Sequence, residues 1–324
     1  MANSRQVSFF ADILHSAIDG HPTLATVSPS TQMEAMDQAP MAVSLPNSEQ
    51  VYMKNALGET YLVQISWPLS WPNGRFFEGS APIIYIVDGN ALFLTATEAA
   101  WRRAAESRFV GGVVVAIGYP LSGKVYDSKR RSLDLTPPTV TQIPGFGGAD
   151  SFLDFIEGIV KPHVQARFPQ ISIAREALYG HSYGGLLALH TLFTRTRLFD
   201  CYIASSPSVW WNDHCILETG KTFLQQDKRP DTNLPSLMVF WGALEQYPHQ
   251  WGDESLDQFE SRQHVASIFR TTENSIHICE MLRGSPHLNA VLMNEFEGEE
   301  HTSVMACSMT RGLTEFFENW PFRG

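Results

Sequence analysis

Apolar and polar side chains change their spacing near residue 45. Residues 1–44 are rich in Ser, Thr, Pro, Met and Gln, with a weakly helical start at Ser8–Ile18 and little periodicity after it, and they read as an N-terminal extension. Residues 45–324 read as one α/β domain. Gln50–Lys54 and Thr60–Trp67 alternate in polarity and flank Asn55–Gly58, turn chemistry that predicts an antiparallel hairpin. Pro68, Pro72, Asn73 and Gly74 then mark a loop. Ile83–Val87 and Gly112–Ile117 are apolar at nearly every position, which predicts strands covered on both faces, and the Ala-rich Ala96–Arg108 between them predicts a helix. Ser122–Ala149, with Pro137, Pro138, Pro144 and the Gly-rich Gly145–Gly148, predicts an irregular segment. Asp150–Phe168 is amphipathic, with a bend expected at Pro162. The remaining pattern predicts a strand at Ala174–Tyr179, a helix at Tyr183–Phe193 and strands at Cys201–Ser205 and Ser236–Trp241. A helix at Leu256–Thr271, a strand at Ile276–Leu282 and a last helix at Val304–Trp320 come after these. Strand and helix alternate, so the expected architecture is a mainly parallel central sheet with helices on both faces.

Composition narrows the function classes. The 23 Lys plus Arg against 34 Asp plus Glu give a formal net charge of -11, which argues against nucleic acid as a partner, since that affinity comes largely from cations on phosphate. The chain is 44% hydrophobic and 18% charged, too apolar for a disordered protein. Its longest apolar stretches, including Phe109–Tyr119, fall well short of the ~20 residues a bilayer span needs, so no membrane partner is expected. Met1–Asp19 carries charges and no continuous apolar core, so a cytoplasmic location is expected rather than secretion. Cys201, Cys215, Cys279 and Cys307 lie far apart without CxxC spacing, which predicts buried free thiols and neither a zinc site nor a disulfide framework.

The strongest chemical signal is Gly180-His181-Ser182-Tyr183-Gly184-Gly185, lying between a predicted strand and a predicted helix. A serine on such a turn takes strained backbone angles, and side chains at the flanking positions would collide with the adjoining elements, hence the glycines. Ser182 is therefore the candidate nucleophile. In this topology the acid and then the histidine follow the serine along the chain. His264 and His277 fall inside predicted elements, whereas His301 lies in a loop before the last helix and is the candidate base, with His287 second. Glu245, just past the strand Ser236–Trp241, is the candidate acid, ahead of Asp253, Glu254 and Asp257. The Tyr183 amide supplies one oxyanion donor, and the Asp88-Gly89-Asn90 turn supplies a second from Asn90 or Gly89. Trp210 and Trp211 follow a strand end where ligands of open α/β sheets bind, and they could wall a pocket or pack in the core.

Six segments together resemble a known family. They are Tyr85–Asn90, Ile117–Pro120, Arg130–Pro137, Gly180–Gly185, Ser205–Trp211 and Glu300–Val304, and they are similar to the esterases of the α/β-hydrolase fold that include ferric-enterobactin and other ferric-siderophore esterases, and more distantly to esterase D. The resemblance implies an α/β-hydrolase catalytic domain over 45–324 that cleaves siderophore esters with Ser182 and His301, in some members without an orthodox acid. It implies no resident metal or cofactor, iron arriving within the small-molecule substrate, and it maps the ligand-binding basic residues to Arg130 and Arg131. Arg131 reads equally well as a brace for Asp134. An acidic chain with few cations near its motifs favours a neutral ferric hydroxamate over an anionic tris-catecholate. Two rivals use the same site differently: an esterase or acyltransferase acting on another secondary metabolite, and a non-catalytic ligand binder on a hydrolase scaffold.

Overall fold

The computed structural model describes residues 42–71, 79–106, 111–227 and 233–320. The stretch Ser8–Ile18 and the loop positions Pro72, Asn73 and Gly74 lie outside the described residues. The chain divides into two compact units, Met1–Pro46 and Asn47–Gly324. All of the described strands and helices belong to the second.

Strands β1 (Ser48–Lys54) and β2 (Thr60–Ser66) pair antiparallel, with Tyr52 opposite Leu62. Asn55 closes their turn by accepting from the amides of Leu57 and Glu59 at 3.0 and 2.9 Å, the local side-chain bonding that makes Asn a turn former. Strand β3 (Gly79–Val87) leads into helix α1 (Gly89–Ala104), and β4 (Val113–Gly118) returns beside β3. A short helix α2 (Ser128–Asp134) punctuates the Pro-rich segment, started by Asp127 Oδ1 accepting from the Arg130 amide. Helix α3 (Ala149–Phe155) runs through a π-helical turn, Ile156–Val160, into α4 (Lys161–Arg167). The wider turn lies just ahead of Pro162, which has no N–H to give.

The chain then alternates through β5 (Ile171–His181), α5 (Tyr183–Thr194), β6 (Cys201–Ser205), α6 (Trp211–Leu224) and β7 (Ser236–Gly242). Helices α7 (Leu256–Phe269) and α8 (Thr271–Leu282), strand β8 (Ala290–Phe296) and helix α9 (Val304–Glu318) complete it. The eight described strands form one sheet in the order β1-β2-β4-β3-β5-β6-β7-β8, parallel from β4 to β8 and antiparallel across β1, β2 and β4.

The unbroken apolar runs follow from burial on two sides. Ile83, Tyr85 and Val87 face one core with Phe152, Leu186, Ile216 and Ile278, while Ile84 and Ile86 face a second with Leu92, Phe93, Met309 and Leu313. Helices α3, α5, α6 and α8 therefore cover one face, and α1 and α9 the other. One expectation is corrected and two elements were not expected. Ile276–Leu282 is the end of helix α8, whose buried residues Thr271, Thr272, Ser275, Ile278, Cys279 and Leu282 recur at three- and four-residue intervals; a seven-residue window around the apolar run hides that period. The last strand is β8, a half-exposed edge with a weak apolar pattern. Helix α6 gave no clear signal either, and its start is interrupted by left-handed backbone at Asn212, Asp213 and His214. Cys201 and Cys279 are buried free thiols as expected, whereas Cys215 and Cys307 are half-buried.

Candidate active site

Ser182 joins β5 to α5 with φ 61° and ψ -117°, a strained conformation for a residue bearing a Cβ. The turn closes because Gly180 and Gly184 lack side chains. A Cβ on Gly180 would lie 2.1 Å from the Gly184 carbonyl oxygen, and one on Gly184 would lie 2.8 Å from Val87 Cγ2. The Ser182 backbone is tied to the neighbouring strand, its amide donating to Ser205 O at 2.9 Å. Its hydroxyl pairs with Ser208 Oγ at 3.3 Å.

Glu245 sits in the tight turn after β7. Its Oε1 accepts from the Gly242 amide at 2.7 Å and from Ser206 Oγ at 2.6 Å, and its Oε2 meets His301 Nδ1 at 2.6 Å. The carboxylate is 2% exposed and the imidazole 34%, so the acid is enclosed while the histidine reaches the surface of the site. The turn depends on Gly242, where a Cβ would fall 2.4 Å from Glu299 O. The Ser182 hydroxyl is paired with Ser208 and His301 Nδ1 with Glu245, and among the described residues there is no direct hydrogen bond between Ser182 and His301.

The other carboxylates and histidines are used elsewhere. Glu254 pairs with Arg262 at 2.6 Å, and Asp253 and Asp257 are exposed. His287 is buried against the Phe223 ring, 5.1 Å between centroids. His264 and His277 lie on helices α7 and α8.

Sequence reasoning missed the work of three serines, one ending β6 and two in the loop from β6 to α6. Ser205 Oγ bonds His181 Nδ1 at 3.0 Å, Ser206 Oγ bonds Glu245, and Ser208 Oγ bonds Ser182. Ser206 has φ 43°, and its hydroxyl donates to Glu245 Oε1 just beyond β7. The Ser205-Ser206-Pro207-Ser208 motif was visible, but which partner each hydroxyl meets depends on strands distant in the chain. His181 was missed as well. Its ring lies 4.5 Å from that of His301 and heads a buried chain through Ser205, Ser308 and Tyr179. Burial first, then the neighbouring His301 and Arg131, hold its pKa well below the ordinary histidine value, so His181 stays neutral beside His301.

The second strand-to-helix turn lies against the first, the elbow formed by Gly180–Gly184 around Ser182. Asp88 has φ 56°, and Gly89 packs so closely on β4 that a Cβ would fall 2.8 Å from Ala116 C and Ile117 N. The Asn90 side chain does not face the site: it clamps Tyr119, accepting from its amide at 2.7 Å and donating to its carbonyl at 3.0 Å. What Gly89, Asn90 and Tyr183 offer are first-turn amides of α1 and α5, which have no partners within their helices.

The arginine pair is engaged differently from the expectation. Arg131 binds Asp88, with Nη2 2.9 Å from Oδ2, and not Asp134. Arg130 lies 3.6 Å from Asp134 and 3.5 Å from Glu59, over the Tyr61 ring. Burial pushes Asp134 up to about 6 in spite of Arg130. Both guanidinium charges are thus met by carboxylates. Trp211 is fully buried and belongs to the core, whereas Trp210 is half-buried, stacked on Phe269 at 4.3 Å and 6.1 Å from the Tyr183 ring.

Comparison with known proteins finds relatives over most of the chain. Residues 54–279 match the family model described as "Putative esterase". The chain is 62% identical over 288 residues to a siderophore triacetylfusarinine C esterase of Aspergillus fumigatus, covering 89% of this chain and 99% of that one. It is 42% identical over 267 residues to a siderophore enterobactin esterase of Emericella nidulans, covering 78% and 88%. The solved structure of siderophore hydrolase EstB from Aspergillus nidulans superposes with a TM-score of 0.86 at 52% identity, covering 89% of this chain and all of that one.

Proposed function

The chain belongs to the "Putative esterase" family, has the α/β-hydrolase fold and is a serine hydrolase of carboxylic esters, and from that premise we propose that its substrate is a neutral ferric hydroxamate of the triacetylfusarinine C class. The charge balance beside the elbow carries this choice: Arg131 is matched by Asp88, and Arg130 by Asp134 and Glu59. A ferric tris-catecholate would bring a strong negative charge to a pair of arginines already neutralised, whereas three hydroxamates cancel the charge of ferric iron. The 62% identity to the triacetylfusarinine C esterase points the same way.

In the proposed reaction the ester carbonyl displaces Ser208 from the Ser182 hydroxyl, and His301 Nε2 takes its proton as the oxygen attacks. Glu245 receives the Nδ1 hydrogen bond and favours the imidazolium that forms. Amides of Tyr183 and of the Gly89/Asn90 turn hold the oxyanion. The alcohol leaves with the proton from His301, and water, activated by the same base, releases the acid. The stacked Trp210 and Phe269 would wall the acyl group. A cytoplasmic site of iron release completes the reading, consistent with four free cysteines.

Mass spectrometry of products from ferric triacetylfusarinine C, ferric enterobactin and simple p-nitrophenyl esters tests this. Ester cleavage of the hydroxamate, lost in Ser182→Ala, is expected. A tenfold or greater preference in kcat/KM for enterobactin would sink the neutral-substrate assignment.

A further inference from the structure

With its charge spent on Asp88, Arg131 has a place in the fold that suits another task. Nε approaches Asp88 Oδ1 and Oδ2 at 3.1 and 3.3 Å and Nη2 approaches Oδ2 at 2.9 Å, with side chains 12% and 3% exposed. The guanidinium is also packed by Tyr126 and Tyr183, each ring centre 5.4 Å away. Asp88 begins α1 in left-handed conformation yet makes no side-chain cap to that helix. Its carboxylate, which would ordinarily satisfy a first-turn amide, is turned to Arg131 instead, so it takes up neither the Gly89 nor the Asn90 amide. Gly89 is pressed on β4, and Asn90 is fixed by its two bonds to Tyr119. On the elbow side, a Cβ built on Gly184 would lie 3.9 Å from Asp88 Oδ2, so the carboxylate stands against the first turn of α5.

We infer that Arg131 is a positioning residue for the oxyanion site: by holding Asp88 left-handed and its carboxylate away from α1, it aims the amides of Gly89 and Asn90 at the ester bound over Ser182. This role presupposes Ser182 as the nucleophile. It differs from ligand binding, in which the same arginine would contribute to substrate affinity.

The two roles separate with p-nitrophenyl acetate, which offers no anionic group to an arginine. Arg131→Lys and Asp88→Asn should lower kcat by ~10²-fold, the order found when one oxyanion donor is lost, with KM changed less than about threefold. The rate of Ser182 labelling by a fluorophosphonate should fall in parallel, because that reaction also builds charge on the oxygen facing those amides. If either single variant fails to fold by circular dichroism, Asp88→Asn/Arg131→Gln, which leaves no buried charge unpaired, carries the test with the same expectation. A raised KM with wild-type kcat and labelling rate, or full activity in any folded variant, would overturn the positioning role. Ser182→Ala in the same assay keeps the premises apart: its activity would remove the nucleophile, while a silent Arg131 variant beside an inactive Ser182→Ala removes only the inference.

Discussion

Replacing Glu245 with Gln removes a charge without changing the number of heavy atoms, and the surrounding donors decide which way the new amide faces. Oε1 accepts from the Gly242 amide and from Ser206. The Gly242 amide can only donate, so the carbonyl oxygen of Gln must occupy that position and the NH2 group must turn to His301 Nδ1. Nδ1 then becomes an acceptor and the ring proton moves to Nε2, the nitrogen that takes the proton from Ser182 in the proposed reaction. The wrong tautomer and the missing anion act together. The same kind of change in a well-studied triad costs ~10⁴ in kcat, and because His301 is 34% exposed water can stabilise part of the imidazolium, so ~10³ is expected here, about 4 kcal/mol of transition-state stabilisation. KM for a short ester should change little. Steady-state kinetics on p-nitrophenyl acetate across pH 6–9, with the melting temperature as a check on folding, measures it. If a folded Glu245→Gln enzyme keeps more than about a tenth of wild-type kcat, Glu245 does not set the tautomer and a Ser-His pair suffices.

Other outcomes follow from the same contacts. Gly180→Ala places a methyl 2.1 Å from the Gly184 carbonyl, where only backbone can move, so a loss of about 3 kcal/mol and a melting temperature lower by roughly 6 °C should accompany loss of activity. Trp210→Ala should raise KM for a bulky siderophore ester more than for p-nitrophenyl acetate if, as proposed, the stack on Phe269 walls the acyl group; equal effects on both would assign Trp210 to packing alone. Two buried groups shape stability against pH in opposite senses. Asp134 titrates near 6 when folded and near 4 when unfolded, so the native state holds the extra proton and stability declines as pH rises between those values, by at most about 3 kcal/mol; Asp134→Asn should flatten that part of the melting curve. His181 has its folded pKa depressed, so its contribution is lost as pH falls below the unfolded value of about 6.5, and His181→Gln should reduce that acid sensitivity.

Most of the sheet was legible because burial on two faces writes itself as unbroken apolar runs, as at Ile83–Val87, and because the elbow needs glycines at fixed offsets from Ser182. Strand β8 and helix α8 were not legible. An edge strand with one wet face carries little pattern, and a short apolar run has no period of its own. The candidate site divides along a similar line. Chain order after Ser182 led to Glu245 and His301, which the fold joins at 2.6 Å, and the choice of Glu245 over Asp253, Glu254 and Asp257 follows from its nearness to a strand end. The partners of charged and hydroxyl groups depended on contacts across many residues. Arg131 sits three positions before Asp134 and 43 after Asp88, and local spacing favours the nearer carboxylate. Helix α2 turns Arg131 to the distant one. Ser205 at the end of β6 and Ser206 and Ser208 in the loop after it carry identical hydroxyls in sequence, and only the packing of β5, β7 and α9 around them gives them three different partners. Local sterics and periodicity thus determined the elements and the turn that carries Ser182, whereas the pairing of buried polar groups, set by which strands lie side by side, was decided by the tertiary structure.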